Sequence, residues 1–204
     1  MMGLPLKAIK NMSNLDTTSE IVYGLYKTPK FGERDYPELS MDFVLPLDFM
    51  VKWERCGITS DYLAQYQSYS FYLSRKVEIL LSTIINELIE NAVKFSSDQN
   101  KLITISIRHF KNFIQIESVN VTDDHNRNRL ADFITLLHSN NDAEALFLQQ
   151  LEKSFMNESS NASGLGILSI LKGYKLDLGI KISPVSEAEH THRVYFQVLV
   201  PTKM

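Results

Sequence analysis

The sequence predicts an α+β domain, and three observations lead there. Residues 75–96 place Val77, Leu81, Ile84, Ile85, Leu88, Ala92 and Phe95 at three- and four-residue steps, the spacing of an amphipathic helix. Directly after it, "LITISIRHF" and "NFIQIESVNV" alternate apolar and polar residues. That period-2 pattern reads as an antiparallel hairpin turning at Lys111-Asn112. Finally, "GIKISPV" and "RVYFQVLVP" read as strands that close the chain.

The remaining elements follow in order. Residues 1–20 are polar and without period, an N-terminal arm. "EIVYGLY" and "MDFVLPL" have strand texture, with the Pro/Gly-punctuated loop "KTPKFGERDYPEL" between them. "DFMVKWERCG" predicts a short helix ending at Gly57, after which Thr59 or Ser60 offers an N-cap for "DYLAQYQSYSFYLSRK". The tyrosines of that segment predict half-buried packing. Residues 127–156 return to helical spacing, broken near "SNND", and the polar loop "NESSNAS" leads into "GLG" and a helical "ILSILKGYKL". No repeat or linker divides the chain. The expectation is an arm with strand decoration over 1–40 and one domain over 41–204.

Composition bounds the function. A hydrophobic fraction of 44% and a charged fraction of 22% suit a globular protein with a real core. The net charge of −3 supplies no basic field for nucleic acid or anionic lipid. The single cysteine, Cys56, excludes an intramolecular disulfide framework and a multi-Cys zinc site. No signal-peptide pattern and no apolar run of about 18 residues is present. A cytoplasmic protein with no nucleic-acid or membrane partner is expected.

Candidate chemistry starts on the strongest helix. At about 100° per residue, Asn91 lies about 40° from Glu87 on one side and Lys94 about 20° on the other. Glu90 falls near the same arc. The stripe holds a carboxylate able to deprotonate a hydroxyl, an amide oxygen suited to Mg²⁺ and a cation for phosphate. Taken alone, the stripe reads first as a solvated helix edge stabilised by local pairs. A second constellation, "SGLGILSI", sets Gly164 and Gly166 before an apolar run. Glycine allows close backbone approach, and amides at a helix N-terminus attract phosphate.

Together, "NELIENAVKFS", a hairpin, a long intervening segment and "ASGLGILSI" resemble the gyrase/histidine-kinase-type (GHKL, Bergerat-fold) ATPase domains. The context most resembles the bacterial anti-sigma-factor serine kinases and other partner-switching regulators, over roughly residues 40–200. The resemblance implies a two-layer α/β sandwich, with a mixed, mostly antiparallel sheet and helices on one face. It also implies ATP or ADP with Mg²⁺ held between helices and sheet. In that pattern Glu87 is the general base, Asn91 ligates Mg²⁺ and Lys94 contacts phosphate. Ser163, Gly164, Leu165 and Gly166 form the phosphate-cradling end of a helical lid at about 121–163.

The chain departs from the family at the first glycine box. The family's D-x-G-x-G, whose aspartate accepts from the adenine amino group, is met by "IESVNVTDDH". Asn120 takes the aspartate position, followed by Val121 and Thr122; Asp123 or Asp124 could substitute after a register shift. An amide oxygen still accepts, without the charge-assisted bond that is roughly twice as strong. The histidines add little: His190 and His192 are two apart, and no acidic or Cys cluster is expected to complete a metal site with them. His109 is expected in a strand, His125 in a loop and His138 at a helix end, so no phosphoacceptor helix is evident.

The function implied by the resemblance is an ATP/Mg²⁺-binding regulator of the partner-switching type. Its enzymatic version is a serine/threonine kinase acting on a small antagonist (STAS-like) protein. The alternative is a catalytically degenerate module of the same fold that binds protein, with weak or no nucleotide affinity. A third reading is an α+β domain with an unrelated ligand. The partner would be an antagonist or a sigma-factor-like regulator, and a homodimer is left open.

Overall fold

The computed structural model describes residues 20–28, 36–50, 52–97, 102–139, 170, 173–174, 176–186 and 190–203, with the side chains of 49–50 and 135–139 left aside. Residues 1–19 of the N-terminal arm, residues 140–163 of the expected lid and "SGLG" (163–166) lie outside the described residues.

In chain order the elements are β1 (Ile21–Gly24), β2 (Leu39–Pro46), α1 (Leu47–Met50), α2 (Trp53–Phe71) and α3 (Arg75–Phe95). They continue with β3 (Leu102–His109), β4 (Phe113–Asp123), α4 (Asp124–Ser139), β5 (Asp177–Ser186) and β6 (Thr191–Pro201). The strands form one six-stranded sheet in the order β1-β5-β6-β4-β3-β2. Every described pairing is antiparallel, so the mixed sheet expected from the resemblance is corrected to an antiparallel one. Two of the pairings, β3–β4 and β5–β6, are hairpins, and β4 and β6 meet at the centre of the sheet though they are far apart in sequence.

The strong helix and hairpin form as expected. Ser74 caps α3, its hydroxyl accepting from the Val77 N–H at 3.3 Å. Val77, Leu80, Leu81, Ile84, Ile85, Leu88, Ile89 and Ala92 are buried along one face of α3. They meet Ile103, Ile105 and Ile107 of β3 and Ile114 and Ile116 of β4 in one hydrophobic cluster. Burying a side chain of this size is worth about 1.5–3 kcal/mol, so this cluster is the main source of the fold's stability. The hairpin pairs Ile107 with Ile116 and closes with the Phe110 N–H donating to the Phe113 carbonyl at 2.9 Å.

Three local expectations are corrected. The helix expected to stop at Gly57 and restart at Thr59 or Ser60 is one element, α2. The Ser60 hydroxyl donates to the Gly57 carbonyl at 2.8 Å within the helix, so it does not act as a cap. Helix α2 ends instead at Tyr72, which is left-handed at φ 53°, and its N–H donates to the Ser68 carbonyl. The tyrosines of α2 are not half-buried: Tyr62, Tyr66, Tyr69 and Tyr72 are exposed, and the buried side is made by Cys56, Ser60, Leu63, Ala64, Gln67 and Ser68. Lastly, α4 begins at Asp124, so it takes in His125, which was expected in a loop.

Helix α2 lies beside α3 and reaches the β2–β3 side of the sheet, where Gln67 Oε1 is 3.1 Å from His109 Nδ1. The opposite face of the sheet carries Gln115, Glu117 and Gln197, each buried. Residues 25–28 cross this face, and the Lys27 carbonyl accepts from Gln115 Nε2 at 2.9 Å and Gln197 Nε2 at 3.0 Å. Gly179 permits the crossing, because a Cβ there would sit 2.6 Å from the Tyr26 backbone. Among the described residues, no helix is long and apolar enough to cross a membrane.

Candidate functional site

A cleft of about 700 Å³, part of it open to solvent, lies between α3, α4 and the sheet. Alternation builds its floor. Ser118, Asn120 and Thr122 share one face of β4 by the strand's period of two, and Val194 and Phe196 of β6 lie beside them. The register pairs Ser118 with Phe196 and Asn120 with Val194. The C-terminal turns of α3 supply Asn91, Ala92 and Phe95 as one wall. Helix α4 supplies Asn126, Arg129, Leu130 and Phe133 as the other.

Short bonds fix these walls. The Thr122 hydroxyl donates to the Phe95 carbonyl at 2.6 Å, and the Ser97 N–H donates to the Val121 carbonyl at 3.1 Å. Both tie the end of α3, where carbonyls lack helical partners, to β4. At the start of α4, the Asp123 carboxylate accepts from the Asn126 N–H at 2.8 Å, an N-cap bond that also suits the helix dipole. The strand therefore passes into the helix with no glycine between them.

The sequence-derived residues distribute as follows. Asn91 and Asn120 line the same cleft, and Asn120 is buried in its floor. Glu87 and Lys94 flank Asn91 on α3 without lining the cleft. Burial first, and the neighbouring Glu90 carboxylate second, push the Glu87 carboxyl above the usual range. Glu90 itself accepts from Asn86 Nδ2 at 2.6 Å. Burial and then the Arg129 charge lower the Lys94 ammonium pKa. Lys94 and Arg129 both lie over the Phe95 ring, at 5.7 and 5.6 Å from its centroid. Ser163, Gly164, Leu165 and Gly166 fall outside the described residues.

Sequence reasoning missed the α4 contribution, Asn126, Arg129, Leu130 and Phe133, together with Ser118, Thr122 and Phe95 as cleft residues. The strand residues were readable in principle, since "SVNVT" alternates small polar groups with valine. The α4 residues were not, because only the β4–α4 junction sets their direction.

The histidines do have an acidic neighbour in space. The Asp124 carboxylate bridges them, with His192 Nε2 at 2.6 Å from Oδ1 and His190 Nδ1 at 2.9 Å from Oδ2. The bond from His192 is the main reason the Asp124 carboxyl lies below its ordinary range. Among the described residues, no group of three or more His, Cys, Asp or Glu side chains could hold a metal ion.

Chemically, the cleft combines amides and hydroxyls on its floor, a guanidinium at its edge and aromatic and aliphatic walls. Apolar walls with a few fixed polar groups are the general make-up of small-molecule sites. No protein-family model matches the chain, and no curated protein matches it.

Proposed function

We propose that the protein is an ATP/Mg²⁺-binding regulator of the partner-switching type, built on a GHKL-like domain. The observation that carries this reading is the cleft shared by Asn91 and Asn120. These two residues stand on different elements and were selected from sequence for the phosphate end and the base end of one nucleotide.

In this reading Asn120 accepts a hydrogen bond from the adenine amino group through its amide oxygen, and Phe95, Phe133 and Phe196 enclose the ring. Lys94 and Arg129 supply positive charge for the phosphates. Asn91 fits Mg²⁺ as a single neutral oxygen ligand, since this ion is commonly held by few protein groups plus phosphates and water. Bound Mg²⁺ supplies neutralisation of phosphate charge during transfer. Glu87, whose carboxyl is pushed above the usual range by burial and by Glu90, stands one turn before Asn91 and in this reading takes the proton of a serine or threonine hydroxyl on a protein substrate. Ser163, Gly164, Leu165 and Gly166 complete the phosphate cradle in this proposal.

The second reading, a module of the same kind that binds protein without turnover, is favoured by the β4–α4 junction. The strand continues to Asp123 and the helix starts at Asp124, leaving no glycine turn beside the base. Calorimetric titration of the full chain with ADP and with ATP, each with Mg²⁺, tests the first reading. Saturable binding that Asn91→Ala and Asn120→Ala each weaken at least tenfold is expected. No binding at millimolar nucleotide overturns it. Phosphorylation of an antagonist protein that Glu87→Ala abolishes separates kinase from binding module.

A further inference from the structure

The outer face of α2 is the second feature of the chain that solvent exposure alone does not explain. From residue 56 to residue 74 the sequence holds a single charged residue, Asp61. That carboxylate is already engaged, accepting from the Ser82 hydroxyl of α3. The same stretch exposes Ile58, Tyr62, Tyr66, Tyr69 and Tyr72, with relative exposures of 70, 59, 42, 80 and 95%. Positions 58, 62, 66 and 69 recur at three- and four-residue steps, so they form one stripe along the helix. A shallow groove lies on it, lined by Tyr62, Gln65, Tyr66, Tyr69 and Ser70. Solvated helix faces are rich in Lys, Arg, Glu and Asp. Aromatic residues with depleted charge mark the centre of protein interfaces instead.

We propose that this stripe is the interface of a twofold homodimer, with α2 packed antiparallel on α2 of a second copy. Three considerations select this occupant. The area fits: aromatic side chains bury about 150–250 Å² each, so five residues at these exposures offer on the order of 700 Å². That is close to the roughly 800 Å² per partner of a standard interface and above the usual largest patch on a monomer. The charge fits as well. With no Lys or Arg between residues 56 and 74, the stripe has nothing to attract an anionic membrane or an acidic peptide. A copy of the same surface, its lone carboxylate already engaged by Ser82, meets it without repulsion.

The geometry is self-complementary. A twofold axis between Gln65 and Tyr66 sets Tyr62 of one copy beside Tyr69 of the other, and sets Asp61 opposite Ser70 rather than opposite a second carboxylate. The interface involves none of the cleft residues, so it stands or falls separately from the nucleotide reading.

The test is sedimentation velocity of the full chain across a concentration series, with and without the exchange of both Tyr62 and Tyr69 to Glu. The wild-type chain should dimerise with a micromolar dissociation constant. The double variant should be weakened about a hundredfold or more, since central aromatic residues dominate such interfaces, while its circular dichroism and melting cooperativity stay those of the wild type. A Gln65→Cys variant reads the register directly. Cys56 is buried, so mild oxidation should join two copies through residue 65. A wild-type chain that stays monomeric overturns the proposal. So does a dimer that survives the Tyr62/Tyr69 exchange, or a dimer of Gln65→Cys that oxidation leaves unlinked. A monomer whose stripe binds a different protein would count against it equally.

Discussion

The Thr122 hydroxyl donates to the Phe95 carbonyl at 2.6 Å, joining the floor of the cleft to the last turn of its α3 wall. Thr122 is buried and Phe95 lines the cleft. Thr122→Val keeps the shape and removes the donor, leaving a carbonyl at the helix end without its partner. A fully buried acceptor stripped in this way costs about 1–3 kcal/mol, and at this part-buried site the lower end applies. Urea denaturation should show a loss in that range at unchanged m-value. Any ligand of the cleft should bind more weakly, because the wall that carries Asn91 is then held to the strand that carries Asn120 by one bond fewer, the Ser97–Val121 backbone bond remaining.

Glu87 gives a pH signature that does not require a substrate. Burial and Glu90 raise its pKa in the folded state above the unfolded value. Its contribution is therefore fully present below the unfolded pKa and is lost as pH rises through the folded pKa. At neutral pH the ionised side chain opposes folding. Glu87→Gln should raise the melting temperature by about 1–2 °C at pH 7, and the gain should vanish near pH 4. A gain of equal size at both pH values would mean that ionisation of Glu87 plays no part.

These effects depend on features that differ in how visible they were in the sequence. Helix α3 and the β3–β4 hairpin were legible because their apolar periods, set by burial against each other, are written along contiguous residues. The interruption expected at Gly57 was a reasonable use of glycine as a stop signal. It failed because Ser60 bonds back to the Gly57 carbonyl inside the helix and the packing of Leu63 and Ala64 on α3 holds the whole of α2. The exposure of the α2 tyrosines is not legible in the sequence, since composition cannot say which side of a helix faces the neighbour. In the cleft, Asn91 and Asn120 were reached through motif resemblance. Arg129 and Phe133 could not be, because their place depends on α4 leaving β4 without a turn, and Asp123 sets that by capping the helix.

Asp124 holds the start of α4 against the β5–β6 end of the sheet through His192 and His190. The bond from His192, partly offset by burial and reinforced by the two imidazole charges, lowers its carboxyl pKa. A depressed pKa contributes stability that is present above the unfolded value and lost as pH falls through the folded value. Asp124→Asn should therefore lower the urea midpoint at pH 6–7, and the difference from wild type should close below about pH 4. A difference that persists unchanged into acid would assign the effect to packing of α4 rather than to the carboxylate.

Asn120→Asp tests the nucleotide reading from the direction of gain. Asn120 sits buried on the cleft floor, paired in register with Val194, where the resemblance places the acceptor for an adenine amino group. A carboxylate there accepts the same bond with charge assistance, roughly twice as strong as the neutral one, which is worth about 1 kcal/mol net and so about fivefold in affinity. The free protein should pay for the buried charge, so its melting temperature should fall, and saturating ADP with Mg²⁺ should restore more stability than it gives the wild type. Calorimetry with ADP and with inosine diphosphate, whose ring lacks the amino donor, makes the outcome specific. Tighter binding of ADP alone supports a base seated on residue 120. Equal weakening for both diphosphates would mean that the base does not reach this residue, and the nucleotide, if bound, lies elsewhere in the cleft.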